Sequence, residues 1–212
     1  TSLPRAMQMT LDEALSVLAS WHGMSGRHES QAVREQWART LFPHDSLEWA
    51  LRYLLSKNAK IPTSTCALVY LRFLSLVGCT CHEHSVPYEP RMGKAVIDVG
   101  EVARRHGAWR TSRADLSVYP SPGDALCMRP NNPHVASVRG SRASDAAILS
   151  IDGGAIDNTW TMRRERTLHA PDGEAPFLID LDDGVAQHVG QKSPLYARVE
   201  IAAILASLEK CS

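Results

Sequence analysis

Pro122-Gly123-Asp124-Ala125-Leu126-Cys127-Met128 and then Asn131-Asn132-Pro133-His134-Val135-Ala136-Ser137-Val138 mark the place where the chain changes its period. Each couples a turn-forming cluster to a short run of residues that fit a pleated, half-buried surface, the pattern of a strand entered from a tight turn. Segments 147–151, 163–168 and 177–179 follow in the same style, separated by turn residues. Together with 125–128 and 135–139 they predict an antiparallel sheet of short strands.

Upstream of Pro120 the apolar residues recur at helical spacing. Leu11, Ala14, Leu15, Leu18 and Trp21 follow Thr10, a side chain suited to cap a helix. Ser30 opens a second helix with Val33, Trp37 and Leu41 on one side. Asp45 begins a third, with Glu48 behind it and an apolar stripe of Leu47, Ala50, Leu51, Leu54 and Leu55. From Cys66 to Val77 almost no polar face remains, so this helix should be buried nearly all round. Thr63, Ser64 or Thr65 supplies its N-cap, and Gly78 stands where a terminating glycine belongs. A short helix with Val96, Val99, Val102 and Ala103 ends at Gly107. At the far end, Ser193-Pro194 is expected to start a last helix through Leu195, Val199, Ala202, Leu205 and Leu208.

Helices first and strands afterwards describe an α+β domain. A chain of 212 residues has room for one such domain. Within it, 1–60 reads as a helical extension, 61–180 as the core that carries chemistry and 181–212 as a C-terminal helix. Lys+Arg and Asp+Glu stand at 23 each, which argues against a general nucleic-acid binder. Two local basic groups remain, Arg104, Arg105, Arg110 and Arg113, and Arg163, Arg164 and Arg166; the ordinary reading of the second is a solvated face. No stretch approaches the roughly 20 apolar residues of a membrane span, and Asp12 and Glu13 interrupt any apolar signal segment. The five cysteines are an odd number, so at least one thiol is unpaired.

Cys66 falls on the first turn of the buried helix. There the unpaired backbone N–H groups and the helix dipole favour a thiolate, and the same N–H groups can hold an oxyanion when sulfur attacks a carbonyl. On position alone an inert buried cysteine is the more common case; two residues further along the chain tip the balance toward chemistry. His134 enters a strand from a turn, well placed to act as a general base. Asp152, on the following strand before Gly153-Gly154, can orient the imidazole, which completes a nucleophile–base–orienter set. Asp157 and Asn158 are rivals for the third role.

Cys66-Ala67-Leu68-Val69-Tyr70 opening a helix, Pro122-Gly123-Asp124-Ala125-Leu126, His134-Val135-Ala136-Ser137-Val138 and Ile151-Asp152-Gly153 occur in an order that resembles the NlpC/P60 and CHAP superfamily of cysteine peptidases and amidases. The resemblance covers roughly residues 60 to 170. It implies a papain-like NlpC/P60 fold, with the helical first half packed on an antiparallel β-sheet. It also implies hydrolysis of amide bonds in peptidoglycan stem peptides, with Cys66 as nucleophile, His134 as base and Asp152 as orienting residue. The chain departs from the superfamily at Thr65, where members often have tryptophan, and at Ala136, where they often have glycine. Pro122, Gly123 and Asp124 are expected to build a turn and do no chemistry.

Neither a cofactor nor a metal is expected. Cys79-Thr80-Cys81-His82-Glu83-His84 carries zinc-ligand residue types, but ligands so close in sequence do not easily converge on one ion. A disulfide from Cys79 or Cys81, with Cys127 as a candidate partner, or plain loop residues are the preferred readings, and zinc is the minority one. Trp160 is the tryptophan best placed to line a cleft. The expected partners are a peptidoglycan peptide and a cognate immunity protein, with no nucleic acid and no membrane. Compact size and the absence of a signal point to an antibacterial effector of the type VI secretion kind, made in the cytoplasm and acting in the periplasm or wall of a target cell. The alternatives are a protease or deamidase acting on host proteins, and a non-catalytic binding module on the same scaffold.

Overall fold

A computed structural model describes residues 8–43, 45–55, 65–79, 99–131, 133–154, 160–182 and 189–210. The helices among them are α1 (Leu11–Ser20), α2 (Gln31–Leu41), α3 (Leu47–Leu55), α4 (Thr65–Leu76), α5 (Val99–Arg105), α6 (Arg113–Leu116) and α7 (Ile201–Lys210). The strands are β1 (Trp109–Arg110), β2 (Ala125–Met128), β3 (His134–Arg142), β4 (Ala147–Asp152), β5 (Met162–His169), β6 (Phe177–Asp182) and β7 (Lys192–Val199).

Local chemistry explains most of the boundaries. Thr10 and Glu13 form a reciprocal capping box at α1, and Ser30 Oγ accepts the N–H of Val33 at α2. The third helix starts at Leu47, later than Asp45, because Ser46 Oγ takes the Trp49 N–H. Helix α4 is buried from Cys66 through Leu71 and again at Phe73 and Leu74, as its apolar sequence requires. Gly78, with a φ of 94°, lets the chain leave that helix in the left-handed region.

Strands β2 to β6 follow one another as an antiparallel meander, and β7 pairs with both β2 and β6. The six strands therefore close on themselves as a barrel, with β1 added to the free stretch of β7. This corrects the expected papain-like NlpC/P60 fold, in which the helical half packs on an antiparallel β-sheet. The physical reason lies in residues 192–199. Leu195 and Val199 fit a helical stripe, but residues 192–195 alternate exposed and buried, the period of two of a strand, and the ladder with β2 continues to Val199 across a register shift. The last helix accordingly begins at Ile201, not at Ser193. With that segment extended, the sheet has no open edge between β6 and β2.

Two apolar clusters result. One joins α1, α2, α3, α4, α5 and α7 to the outward residues Ala125, Cys127, Val135, Ile151, Ala197 and Val199 of the barrel wall. The other fills the barrel with Leu126, Met128, Ala136, Val138, Ile148, Leu178 and Leu195, with Leu116 of α6 joining them. Helix α4 thus lies against the outside of the barrel, and two contacts fix it there. The buried Tyr70 hydroxyl donates to the carbonyl of Gly123 at 3.0 Å. Gly153 lies so close beneath the first turn that an added Cβ would stand 2.5 Å from the Thr65 carbonyl oxygen.

Among the described residues no helix is long and apolar enough to cross a membrane.

Candidate active site

The barrel's strand parity decides which side chains meet. On β3, His134 shares the inward parity of Ala136 and Val138; on β4, Asp152 shares that of Ile148 and Ser150. The register Ser137↔Ile151 continues to set Asp152 beside Ala136, one diagonal from His134. Nε2 of His134 lies 2.7 Å from Oδ2 of Asp152, a buried contact. Cys66, at the start of α4 and 3% exposed, forms a hydrogen bond with the same imidazole. Because Nε2 is committed to Asp152, Nδ1 is the nitrogen left for sulfur. The three expected catalytic residues therefore converge at one end of the barrel, brought there from α4, β3 and β4.

Charge sustains the arrangement. Burial by itself would push the His134 imidazole down, but the negative charge at Cys66 and the hydrogen bonds and charge of Asp152 outweigh it, and its pKa is pushed up to about 9. Burial would likewise push the Asp152 carboxyl up. Arg166 and His134 overcome that and hold it far below the ordinary carboxylate range.

Asp152 is saturated with donors. Oδ1 accepts from Ser150 Oγ at 2.7 Å and from Arg166 NH1 at 3.2 Å, and Oδ2 accepts from Arg166 NH2 at 2.6 Å. Arg166 also donates through NH1 to Ser150 Oγ at 2.8 Å and through Nε to Asp180. Arg164 lies 3.9 Å from Asp152 and 3.8 Å from Asp180. Arg164 and Arg166 are 7% and 2% exposed, which corrects their reading as a solvated face. Sequence reasoning missed Arg166 and Asp180 as parts of the site. The available signal was parity: Met162, Arg164, Arg166 and Leu168 share one side of β5, and its two ends are apolar.

Asp124 of the turn motif is structural. Its Oδ1 accepts the N–H of Ile201 at the start of α7, and Oδ2 accepts that of Ser121, both at 2.9 Å. Trp160 pairs with Ser25 in an isolated bridge and stands beside the ring of His28. Cys66, Cys79 and Cys127 carry reduced thiols, so of the alternatives weighed for this region a disulfide from Cys79 or to Cys127 is not formed; the sulfur of Cys79 lies 3.5 Å from Nε2 of His106. Cys81, His82, Glu83 and His84, and the rival third residues Asp157 and Asn158, lie outside the described residues. Among the described residues no group of three or more His, Cys, Asp or Glu side chains is placed to hold a metal ion.

Comparison of the chain with protein-family models, with curated proteins and with solved structures finds no match.

Proposed function

We propose that this protein is a cysteine hydrolase that cleaves amide bonds of peptidoglycan stem peptides, with Cys66 as nucleophile, His134 as acid and base, and Asp152 as orienting residue. One observation carries the reading: a cysteine on the first turn of a buried helix shares an imidazole with a buried, ionised aspartate. A structural cysteine has no need of that partner.

The chemistry runs in two halves. The Cys66 thiolate attacks the amide carbonyl, and the positive end of the α4 dipole faces the oxyanion that forms. The tetrahedral adduct collapses as the C–N bond breaks, and the His134 imidazolium gives its proton to the departing amine. That leaves a thioester on sulfur and a neutral imidazole. His134 then takes a proton from water as the water oxygen attacks the thioester. The second adduct expels the Cys66 thiolate and releases the carboxylic acid, which restores the charged pair. Asp152 stabilises the imidazolium in both halves without exchanging a proton.

The substrate class rests on the resemblance of the four short motifs to NlpC/P60 and CHAP enzymes. The closed barrel lends it no support. The setting proposed with it is an antibacterial effector that acts in the wall of a target cell and is held in check by a cognate immunity protein. The test is mass spectrometry of sacculi digested with the protein, beside Cys66→Ala and His134→Ala. New fragments from the unmodified protein alone are expected, and their masses name the bond. Folded protein that releases nothing from several wall types sinks the peptidoglycan reading.

A further inference from the structure

Among the described residues Arg166 is the largest fully buried charged side chain, and the hydrolytic steps do not call on it. Its neighbours in the wall's interior, Ile148, Leu168 and Leu178, show that apolar residues fill this space. A guanidinium there gives up its hydration and requires paired charges on both sides, a cost that well-packed apolar residues avoid. Its contacts indicate what it does instead. One edge of the fork takes both oxygens of Asp152, and Nε on the other side is fixed by Asp180, its direct register partner on β6.

We propose that Arg166 is a positioning residue for the cysteine site: it locks the Asp152 carboxylate in the one orientation that aims Oδ2 at Nε2 of His134, and Asp180 anchors it from the opposite strand. A carboxylate at a strand end with a single hydrogen bond can turn about its terminal torsion. Here Ser150, Arg166 and His134 together occupy both oxygens, and the turn is blocked. Only a planar fork reaches both oxygens and a third partner at once; an ammonium on a shorter stem does not. Orientation matters because the hydrogen bond to Asp152 comes next after the negative charge at Cys66 in holding the proton on His134. Cys66 faces it from α4 and Asp152 from β4, while Arg164 and Arg166 on β5 and Asp180 on β6 stand behind Asp152. With arginines so close, the aspartate acts on the imidazole through its hydrogen bond more than through its net charge.

The inference rests on the hydrolase reading only in needing an active Cys66–His134 pair, and its test needs no substrate. The His134 ring Cε1–H signal is followed by NMR from pH 6 to 10 in the unmodified protein, in Arg166→Lys and in Asp180→Asn. Arg166→Lys keeps the charge and loses the fork, so the midpoint should fall from near 9 toward that of an ordinary histidine. If a hydrolysed substrate is in hand, kcat should drop by about tenfold or more with little change in KM. A folded Arg166→Lys that titrates like the unmodified protein overturns the proposal. If that variant does not fold, Asp180→Asn decides: a smaller fall in the same direction supports the proposal, and an unmoved midpoint refutes it. Failure to cut sacculi, with a midpoint that still moves, would sink the wall reading and leave the positioning role standing.

Discussion

Gly153→Ala tests whether the approach of α4 to the barrel sets the distance between Cys66 and His134. The added Cβ would stand 2.5 Å from the Thr65 carbonyl oxygen, and 2.8 Å from both the Thr65 carbonyl carbon and Cγ2 of Val69. Two of these atoms are backbone in the first turn of α4, so no flexible side-chain end can absorb the clash. Relaxing to ordinary van der Waals separation requires the turn to retreat by roughly 1 Å. Thr65 adjoins Cys66, so the sulfur retreats with it. Overpacking of this kind costs about 1–3 kcal/mol, and in a chain of this size each kcal/mol lowers Tm by about 2–4 °C.

The chemical penalty should exceed the thermodynamic one. A misplacement of about 1 Å at a reacting centre costs on the order of a hundredfold in rate. Cys66 alkylation by iodoacetamide at pH 6 reads this directly, because an ordinary thiol with a pKa of about 8.5 is almost wholly protonated there. Gly153→Ala should melt a few degrees lower, remain folded at 20 °C, and alkylate at Cys66 roughly ten to a hundred times more slowly. Gly140→Ala is the control, since a Cβ there meets nothing within 4 Å. If Gly153→Ala alkylates at the unmodified rate, α4 does not set the pair's geometry, and the reasoning fails.

Other outcomes attach to His134, Cys66 and Asp124. His134 keeps its proton to about 9, so the charged pair is intact below that pH and discharged above it; turnover should fall on the alkaline side with a midpoint near 9. The raised value also means that the proton stabilises the fold fully below the unfolded histidine's pKa of about 6.5 and ceases to as pH rises through 9. Cys66→Ala removes the largest influence raising that pKa, and so should lower the His134 midpoint and flatten the loss of Tm between pH 6.5 and 9; an unchanged midpoint would separate the two side chains. Asp124→Ala strips buried acceptors from Ile201 and Ser121 and should cost about 2–3 kcal/mol by thermal or urea unfolding. At a temperature where it is folded it should leave Cys66 alkylation at the unmodified rate, and a slowed rate would give Asp124 a role beyond structure.

The legible part of the sequence is the part in which one period excludes the other. Segments 125–128, 147–151 and 163–168 match strands β2, β4 and β5 to within a residue or so, since turn clusters bound them and their patterns do not fit a helix. Residues 192–199 are ambiguous because Leu195 and Val199 stand four apart, a spacing that suits a helical face, while the register shift against β2 interrupts the strand alternation between them. That single ambiguity hides the closure of the barrel. Strand β1 is two residues long and leaves no periodicity to read. The site is more legible than the architecture. Cys66, His134 and Asp152 stand out by helix start, turn and strand end, which are local features. Arg166 and Asp180 do not, because their roles depend on pairing across β5 and β6 and on closure of the wall behind them.

Closure also accounts for the electrostatics of the site. In an open sheet, Asp152 at the end of β4 would be solvated, and water would weaken its hold on an imidazole several-fold. Inside the barrel it is fully buried, so its charge has to be matched by protein groups. Strand parity supplies those groups: Ser150 two residues earlier on the same strand, Arg166 from β5 and His134 from β3. The remaining charge is met at Cys66, on an element outside the wall. Asp152 and Asp180 already cancel Arg164 and Arg166, two against two, so a proton on His134 finds its matching negative charge at Cys66. On this view the proton on His134 and the negative charge at Cys66 come and go together, and any substitution that leaves an odd charge inside should register as a change in Cys66 reactivity.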